Sequence, residues 1–168
     1  MSINQIKLPK GTIQSLYKNH LVKSNTPHNP CTSKDSEKEL SVLGNNKKNI
    51  TILINEPDVV YINETSLSFL TGILTACKLG LEDVSIVNMK YNNDPSYQKI
   101  TESLQSKVIL LFGVEPANIS LPISFPAYQI QRFNNQTYLY TKPLEALKGN
   151  KDEKTKLWNC LKSIFEII

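Results

Sequence analysis

Three short apolar runs, separated by stretches with helical periodicity, constrain the fold of this chain more than any other feature. They cover residues 50–54, 84–87 and 108–112 and are rich in β-branched side chains. Runs of this length and composition are typical of strands buried on both faces, and the helices between them favour parallel pairing. The sequence therefore predicts an α/β domain with three layers, α/β/α, around a mainly parallel sheet.

Capping signals predict where the helices begin and end. Asn63 is a candidate N-cap for the first helix, and Gly80 lies where a C-terminal stop is expected. Asp94-Pro95 predicts the opening of a second helix, because proline is favoured in the first turn. A last helix is expected to start at Asn150 or Asp152. The predicted buried stripe of the first helix consists of Leu67, Leu70, Ile73, Leu74 and Cys77.

Composition divides the chain into a basic peptide at 1–23, a linker at 24–48 and the α/β domain at 49–168. The linker is polar, with prolines at its start and few large apolar groups, so it is predicted to be flexible. Residues 1–49 hold eight lysines and three acidic residues, whereas 50–168 hold eleven basic and twelve acidic residues. The positive charge thus belongs to the tail, which argues against strong direct nucleic-acid binding by the domain.

The basic peptide carries one apolar stripe at helical spacing, formed by Ile13, Leu16, Tyr17 and Leu21. A helix of two to three turns is marginal in water, so this one is expected to form against another surface. That surface is either the chain's own domain or a partner protein. The long tether favours a partner, and these four residues are the candidate partner-binding site.

Bulk features favour a cytoplasmic protein. In its 168 residues, no apolar run reaches the roughly 20 residues that cross a bilayer, and no secretory signal pattern opens the chain. We therefore expect no membrane association. Cys31, Cys77 and Cys160 are odd in number and widely spaced, which predicts free thiols in a reducing compartment.

The loops after the predicted strands carry few groups suited to catalysis. Glu56 and Asp58 follow the first strand, where a site on a parallel sheet is expected. No histidine lies beyond His28, so these acids lack the commonest partner base. No cysteine pair has zinc spacing, and no glycine-rich phosphate loop occurs. The sequence predicts a non-enzymatic protein with no catalytic residue, no cofactor and no metal.

The aromatic residues allow two interpretations. Tyr128, Tyr138 and Tyr140 lie in two alternating segments, 127–133 and 136–140, which flank an Asn-Asn pair and predict a hairpin. Stacking of nucleic-acid bases on these rings is an alternative to ordinary sheet packing, but only Arg132 and Lys142 supply positive charge nearby in the sequence. Trp158, on the last helix, is predicted to lie in the core, with a place in an interface as the alternative.

The order of these features resembles the psi subunit family of bacterial DNA polymerase III, the small accessory proteins of the clamp loader. The likeness covers residues 49–165 and consists of residue types in sequence order. After the basic peptide and linker come Ile50-Thr51-Ile52-Leu53-Ile54-Asn55, then Leu67-Ser68-Phe69-Leu70-Thr71-Gly72-Ile73-Leu74, Leu79-Gly80-Leu81-Glu82-Asp83-Val84, Lys142-Pro143-Leu144-Glu145-Ala146-Leu147 and Lys154-Thr155-Lys156-Leu157-Trp158.

The resemblance implies a mononucleotide-binding-like fold without catalytic activity. It further implies that the N-terminal peptide, through Ile13, Leu16, Tyr17 and Leu21, binds clamp-loader subunits. The folded domain would then hold the chi subunit and so reach single-stranded DNA-binding protein. Two alternatives stay open: an enzyme similar to uracil-DNA glycosylases, with Glu56 or Asp58 as its acid, and an α/β interaction domain of other ancestry.

Overall fold

The computed structural model describes residues 40–166, and the structural statements below concern that part of the chain. It is a mixed α/β fold with six strands and four α-helices. The strands are β1 (Val42–Leu43), β2 (Ile50–Ile54), β3 (Val84–Asn88), β4 (Val108–Phe112), β5 (Ile130–Phe133) and β6 (Gln136–Thr141). The α-helices are α1 (Glu64–Ala76), α2 (Tyr97–Leu104), α3 (Leu144–Gly149) and α4 (Lys151–Phe165), and Pro116–Ile119 forms a 3-10 helix.

The six strands form one sheet in the order β1-β3-β2-β4-β6-β5. The four central strands are parallel, and β1 and β5 pair antiparallel at the two edges. Ile52, at the middle of β2, lies opposite Ile86 on one side and Leu110 on the other. The predicted mainly parallel sheet, built on three buried apolar runs, is thereby confirmed.

Helices cover both faces of the sheet, which confirms the predicted three layers. On one face, Ile50, Ile52 and Ile54 of β2 belong to a core completed by α1, α3 and α4. On the other face, Leu53 belongs to a second core with Ile100 of α2 and the 3-10 helix. Successive residues of a strand point to opposite faces, so a strand such as β2, with apolar side chains on both faces, requires cover on both sides.

The start of α1 agrees with its capping signal, but the start of α2 does not. The Asn63 side chain accepts a hydrogen bond from the backbone N–H of Ser66, as an N-cap does. In α2 the cap is Ser96, whose side chain accepts from the N–H of Lys99. Asp94-Pro95 lies before this cap and outside the helix, so the predicted opening of α2 is too early.

The predicted end of α1 at Gly80 is also wrong. The left-handed residue after this helix is Lys78, with φ of 58°. Leu79 N–H donates to Leu74 C=O, and Lys78 N–H donates to Thr75 C=O, a pair of bonds that closes the helix. Leu79 is buried in the same core as Leu74, and its burial ends the helix at Ala76, so that the left-handed residue lies two positions before the glycine.

The folded domain begins before the boundary that composition suggests at residue 49. Val42 and Leu43 form β1, which pairs with Val87 and Ile86 of β3. Ser41 also exchanges two hydrogen bonds with the Asn92 side chain, at 2.7 and 3.2 Å. The side chains of Leu43 and Val42 also pack against the cores on the two faces of the sheet, and two apolar residues are too short a run to stand out in a polar stretch.

The predicted hairpin is present as β5 and β6. Asn134 and Asn135 both have positive φ, 50° and 60°, which asparagine adopts more readily than most residues and which a two-residue hairpin turn requires. The first strand is shorter than predicted because Tyr128, with φ of 63°, interrupts the extended backbone before Ile130.

Cys77 is buried and Cys160 is half-buried, and both are free thiols as predicted, whereas Cys31 lies outside the described residues. Among residues 40–166, no helix combines the length and the apolar character needed to span a membrane.

A charged cluster anchors the start of α4. Glu153 is buried in the first turn, and its Oε1 lies 3.4 Å from Lys142 Nζ and 3.3 Å from Lys156 Nζ. Its Oε2 and the Tyr128 hydroxyl are buried, and neither has a hydrogen-bond partner among residues 40–166. The nearby Tyr128 hydroxyl is nevertheless the largest influence that holds the pKa of Glu153 below its usual value, followed by the two lysines.

We expect Glu153→Gln to destabilise the domain near pH 7 and to change its stability much less near pH 3. Because the folded-state pKa of Glu153 is lowered, its stabilising effect is complete above the unfolded-state pKa of roughly 4.3 and is lost as the pH falls through the folded-state value. Urea titrations at the two pH values measure this difference. Glu145→Gln, at an exposed position of α3, is the control, and an equal loss at both pH values would contradict the assignment.

Candidate functional site

The carboxyl edge of the parallel strands is the usual place for a ligand in such a sheet. In this domain, side chains at that edge form hydrogen bonds with neighbouring loops of the same chain and occupy much of the space. Asn88, fully buried at the end of β3, donates from Nδ2 to the backbone oxygens of Glu56 and Val59, at 2.8 and 2.7 Å. Its Oδ1 accepts from the Glu56 N–H at 3.3 Å. Asn88 thus fastens the loop after β2 and uses both ends of its amide for that purpose.

The two acids proposed from the sequence as candidate catalytic groups have different surroundings. Glu56 is half-buried, and its Oε2 accepts the backbone N–H of Asn63 at 2.8 Å. Asp58 is exposed, in a left-handed conformation with φ of 61°. Glu56 therefore orders the entry into α1. This structural role explains why an acidic residue occurs at position 56, and no catalytic role is needed to explain it.

The N-terminus of α1 is poorly suited to an anionic ligand. Helix N-termini bind phosphate through free N–H groups and a positive dipole. In α1, Asn63 Oδ1 already accepts from Ser66 N–H at 2.7 Å. Glu56 also belongs to the wall of the small cavity beside this cap, about 210 Å³, together with Glu145. Two carboxylates at its wall oppose the entry of a phosphate.

Gly113 and Pro143 close another part of the same edge. Gly113 follows β4 with φ of 67°, and a Cβ atom at this position would lie 2.6 Å from Pro143 Cγ. Its N–H donates to the Thr141 C=O at the end of β6. The backbone leading into α3 therefore packs directly against the end of β4, and glycine is required for that approach.

The remaining predicted residues are placed as follows. Ile13, Leu16, Tyr17 and Leu21 lie outside the described residues, as does His28. Tyr138 is fully buried within the sheet core, and Tyr128 and Tyr140 are half-buried. This packing supports the ordinary structural interpretation of the tyrosines. Within residues 40–166, no group of three or more His, Cys, Asp or Glu side chains is arranged to hold a metal ion.

An apolar groove of about 380 Å³ runs between α1 and α4, and we refer to it as the α1–α4 groove. Trp158, predicted to lie in the core with an interface as the alternative, is half-buried: it packs against the core and forms the groove wall opposite α1. Lys154 Nζ lies 5.4 Å from the centre of the Phe69 ring, a cation–π contact at the rim. The lining residues are Ser68, Phe69, Gly72, Ile73, Ala76, Lys154, Leu157, Trp158 and Leu161.

Small residues on α1 keep this groove open. Gly72 is exposed, and a Cβ atom at this position would meet nothing within 4 Å. The sequence contained a signal for this surface that the core prediction did not use. Phe69, Gly72 and Ala76 recur at i, i+3 and i+7 beside the buried stripe. Ile73, predicted to lie in the buried stripe, is half-buried and lines the groove with them. Half-exposed apolar side chains that face an aromatic residue, as these face Trp158, are typical of protein interfaces.

Comparison with known proteins places this chain in no group: it matches no family model, and no curated protein is significantly similar to it.

We expect Gly72→Ala to raise the free energy of unfolding by roughly 0.5–1 kcal/mol, because alanine in an open helix interior loses less backbone entropy than glycine. In a domain of this size the melting temperature should rise by about 2–4 °C. Gly113→Ala is the contrasting variant and should lower the melting temperature, because of its positive φ and its contact with Pro143. A loss of stability in Gly72→Ala would show that the groove is not open at this position.

Proposed function

We propose that this protein is a non-catalytic accessory subunit of a bacterial replicative clamp loader, similar in role to psi. Its N-terminal peptide binds clamp-loader subunits through Ile13, Leu16, Tyr17 and Leu21. Its folded domain binds a second protein, chi or single-stranded DNA-binding protein, and so links the two. The first half of this proposal rests on the sequence stripe and the resemblance, and the second on the geometry of the domain.

The α1–α4 groove is the observation that carries the partner-binding role of the domain. It combines two aromatic side chains, Phe69 and Trp158, with a floor left open at Gly72. Interfaces draw most of their binding energy from a few aromatic anchors in such apolar pockets. An amphipathic helix of the partner fits this surface, because a groove between two helices accepts side chains at i, i+3 and i+4 of a third.

The carboxyl edge of the sheet is consistent with the same role. Asn88, Glu56 and Asn63 direct their polar atoms to backbone groups of their own chain. Their geometry gives them structural roles, and the glycosylase-like alternative draws no support from it. An interaction domain of other ancestry would use the α1–α4 groove equally well, so the identity of the partners decides between these two possibilities.

The tail is tested with a double substitution. We expect Leu16→Ala with Tyr17→Ala to weaken binding to the purified clamp loader of the source organism by roughly a hundredfold or more, since each buried side chain contributes about 2 kcal/mol. The melting temperature of the domain should hardly change. Gln14→Ala with Ser15→Ala alters the same segment outside the apolar stripe and is the control. Full binding by the Leu16, Tyr17 variant, with a melting temperature several degrees lower, would refute peptide docking.

The groove is tested independently of the tail. Gly72→Gln places a side chain in the α1–α4 groove at a position with free space, so the fold should persist. We expect this variant to lose binding to purified chi or single-stranded DNA-binding protein while it still binds the clamp loader. Gly149→Gln, at an equally open glycine that does not line the groove, should bind both. If neither protein binds the unmodified chain, the domain has a different partner and the proposed bridging role fails.

A further inference from the structure

A second surface lies at the amino edge of the sheet, opposite the edge fastened by Asn88. It is a concavity of about 590 Å³, which we refer to as the lysine concavity. Its floor consists of apolar side chains at the starts of β2 and β4, after the end of α1 and at the end of α4. Its rim carries charged side chains. The floor residues are Ile50, Cys77, Leu79, Val108 and Phe165, and the rim residues are Lys48, Lys78, Lys107 and Glu166.

The backbone holds the three lysines in place around the floor. Lys107 N–H donates to Asn49 C=O at 2.7 Å, immediately before β4. Lys48 N–H donates to Asp83 C=O at 3.0 Å, and Lys78 N–H donates to Thr75 C=O at 3.0 Å after α1. Three segments far apart in sequence thus present an ammonium group each at one edge, and all three side chains are exposed.

The three lysines of this rim differ in whether an acidic side chain of the domain pairs with them. Lys48 Nζ lies 3.4 Å from Asp83 Oδ2, so its charge is partly balanced. Lys78 and Lys107 form no ion pair with any residue between 40 and 166. Glu166 adds one carboxylate on the side of α4. A ligand carboxylate is therefore attracted to the Lys78 and Lys107 side and repelled at Glu166.

The C-terminal end of α1 adds little negative charge beside the lysines. A helix C-terminus carries about half a negative charge, through carbonyl groups without partners. The last carbonyls of α1 already accept backbone N–H groups, from Cys77, Lys78 and Leu79. The ammonium groups thus remain available to a ligand.

We propose that the lysine concavity binds a short acidic peptide segment that also carries a large apolar side chain, supplied by a partner protein. The carboxylates pair with Lys78 and Lys107, and the apolar side chain covers the floor formed by Ile50, Leu79 and Phe165. Charge complementarity and the apolar floor together define this ligand. A nucleic-acid strand fits less well, because the near-neutral charge of residues 50–168 disfavours an extended polyanion and phosphates leave the floor uncovered.

The test uses the full chain and a fluorescein-labelled hexapeptide of four acidic residues followed by leucine and phenylalanine, with binding measured by fluorescence anisotropy. We expect saturable binding that weakens as salt rises. Lys78→Ala with Lys107→Ala should weaken it about tenfold or more. Lys90→Ala with Lys151→Ala removes the same charge elsewhere on the surface and should leave binding nearly unchanged. Glu166→Gln should tighten binding, since it removes the like charge from the rim.

Two further ligands test whether the apolar floor contributes to binding and whether a nucleic-acid strand binds in place of the peptide. A hexapeptide with serines in place of leucine and phenylalanine should bind about tenfold more weakly or not at all. The proposal fails if the two lysine pairs affect binding equally, or if an oligothymidylate binds more tightly than the peptide with the same dependence on Lys78 and Lys107. It also fails if the peptide binds only after residues 167–168 are deleted, because the chain would then cover this surface itself.

Discussion

The burial of β2 on both faces is the constraint on which the rest of the structure depends. All five of its residues are buried, and it pairs in parallel with β3 on one side and β4 on the other. A strand with apolar side chains on both faces must be covered twice. The chain meets this requirement by crossing from strand to strand through helices, so α1 and α2 lie on opposite faces, and each begins and ends near an edge of the sheet.

Buried polar groups within this apolar sheet fix its register. Thr51 of β2 lies opposite Ser85 of β3, and their hydroxyl oxygens are 2.8 Å apart. The Thr51 hydroxyl also contacts that of Ser106, just before β4. A slip of one residue would leave these hydroxyls in an apolar layer without partners, at a cost of roughly 1–3 kcal/mol each. Asn88 performs the corresponding task at the carboxyl edge, where it holds the loop after β2.

The same framework explains why the candidate binding surfaces lie away from the usual ligand position. At the carboxyl edge, Asn88, Glu56 and the Gly113–Pro143 contact join loops to one another. Val60, Tyr61 and Tyr91 are exposed in the loops after β2 and β3. The concave surfaces with an apolar lining are the α1–α4 groove and the lysine concavity. The groove lies along two adjacent helices, whereas the concavity lies where strand and helix ends approach. Both combine apolar walls with lysine at the rim, which suits protein ligands better than small anions.

The sequence by itself determined the elements whose signals are local. Ile50–Ile54 is identified as a strand by its own composition, Asn63 as a cap by its place before the apolar stripe, and Asn134-Asn135 as a turn. Alternation and capping act over a few residues, so they can be read without knowledge of the fold. The apolar stripe at Leu16 and Tyr17 belongs to the same class of local signal, but its function depends on what it contacts.

Tertiary structure decided what depends on residues far apart in the chain. Val42 and Leu43 became a strand because the edge of β3 was open to their backbone, and α1 ended at Ala76 because Leu79 packs beside Leu74. The α1–α4 groove and the lysine concavity exist only once α4 is placed against the first half of the domain. Packing between distant segments has no local pattern, since its energy comes from surfaces that meet only in the folded chain.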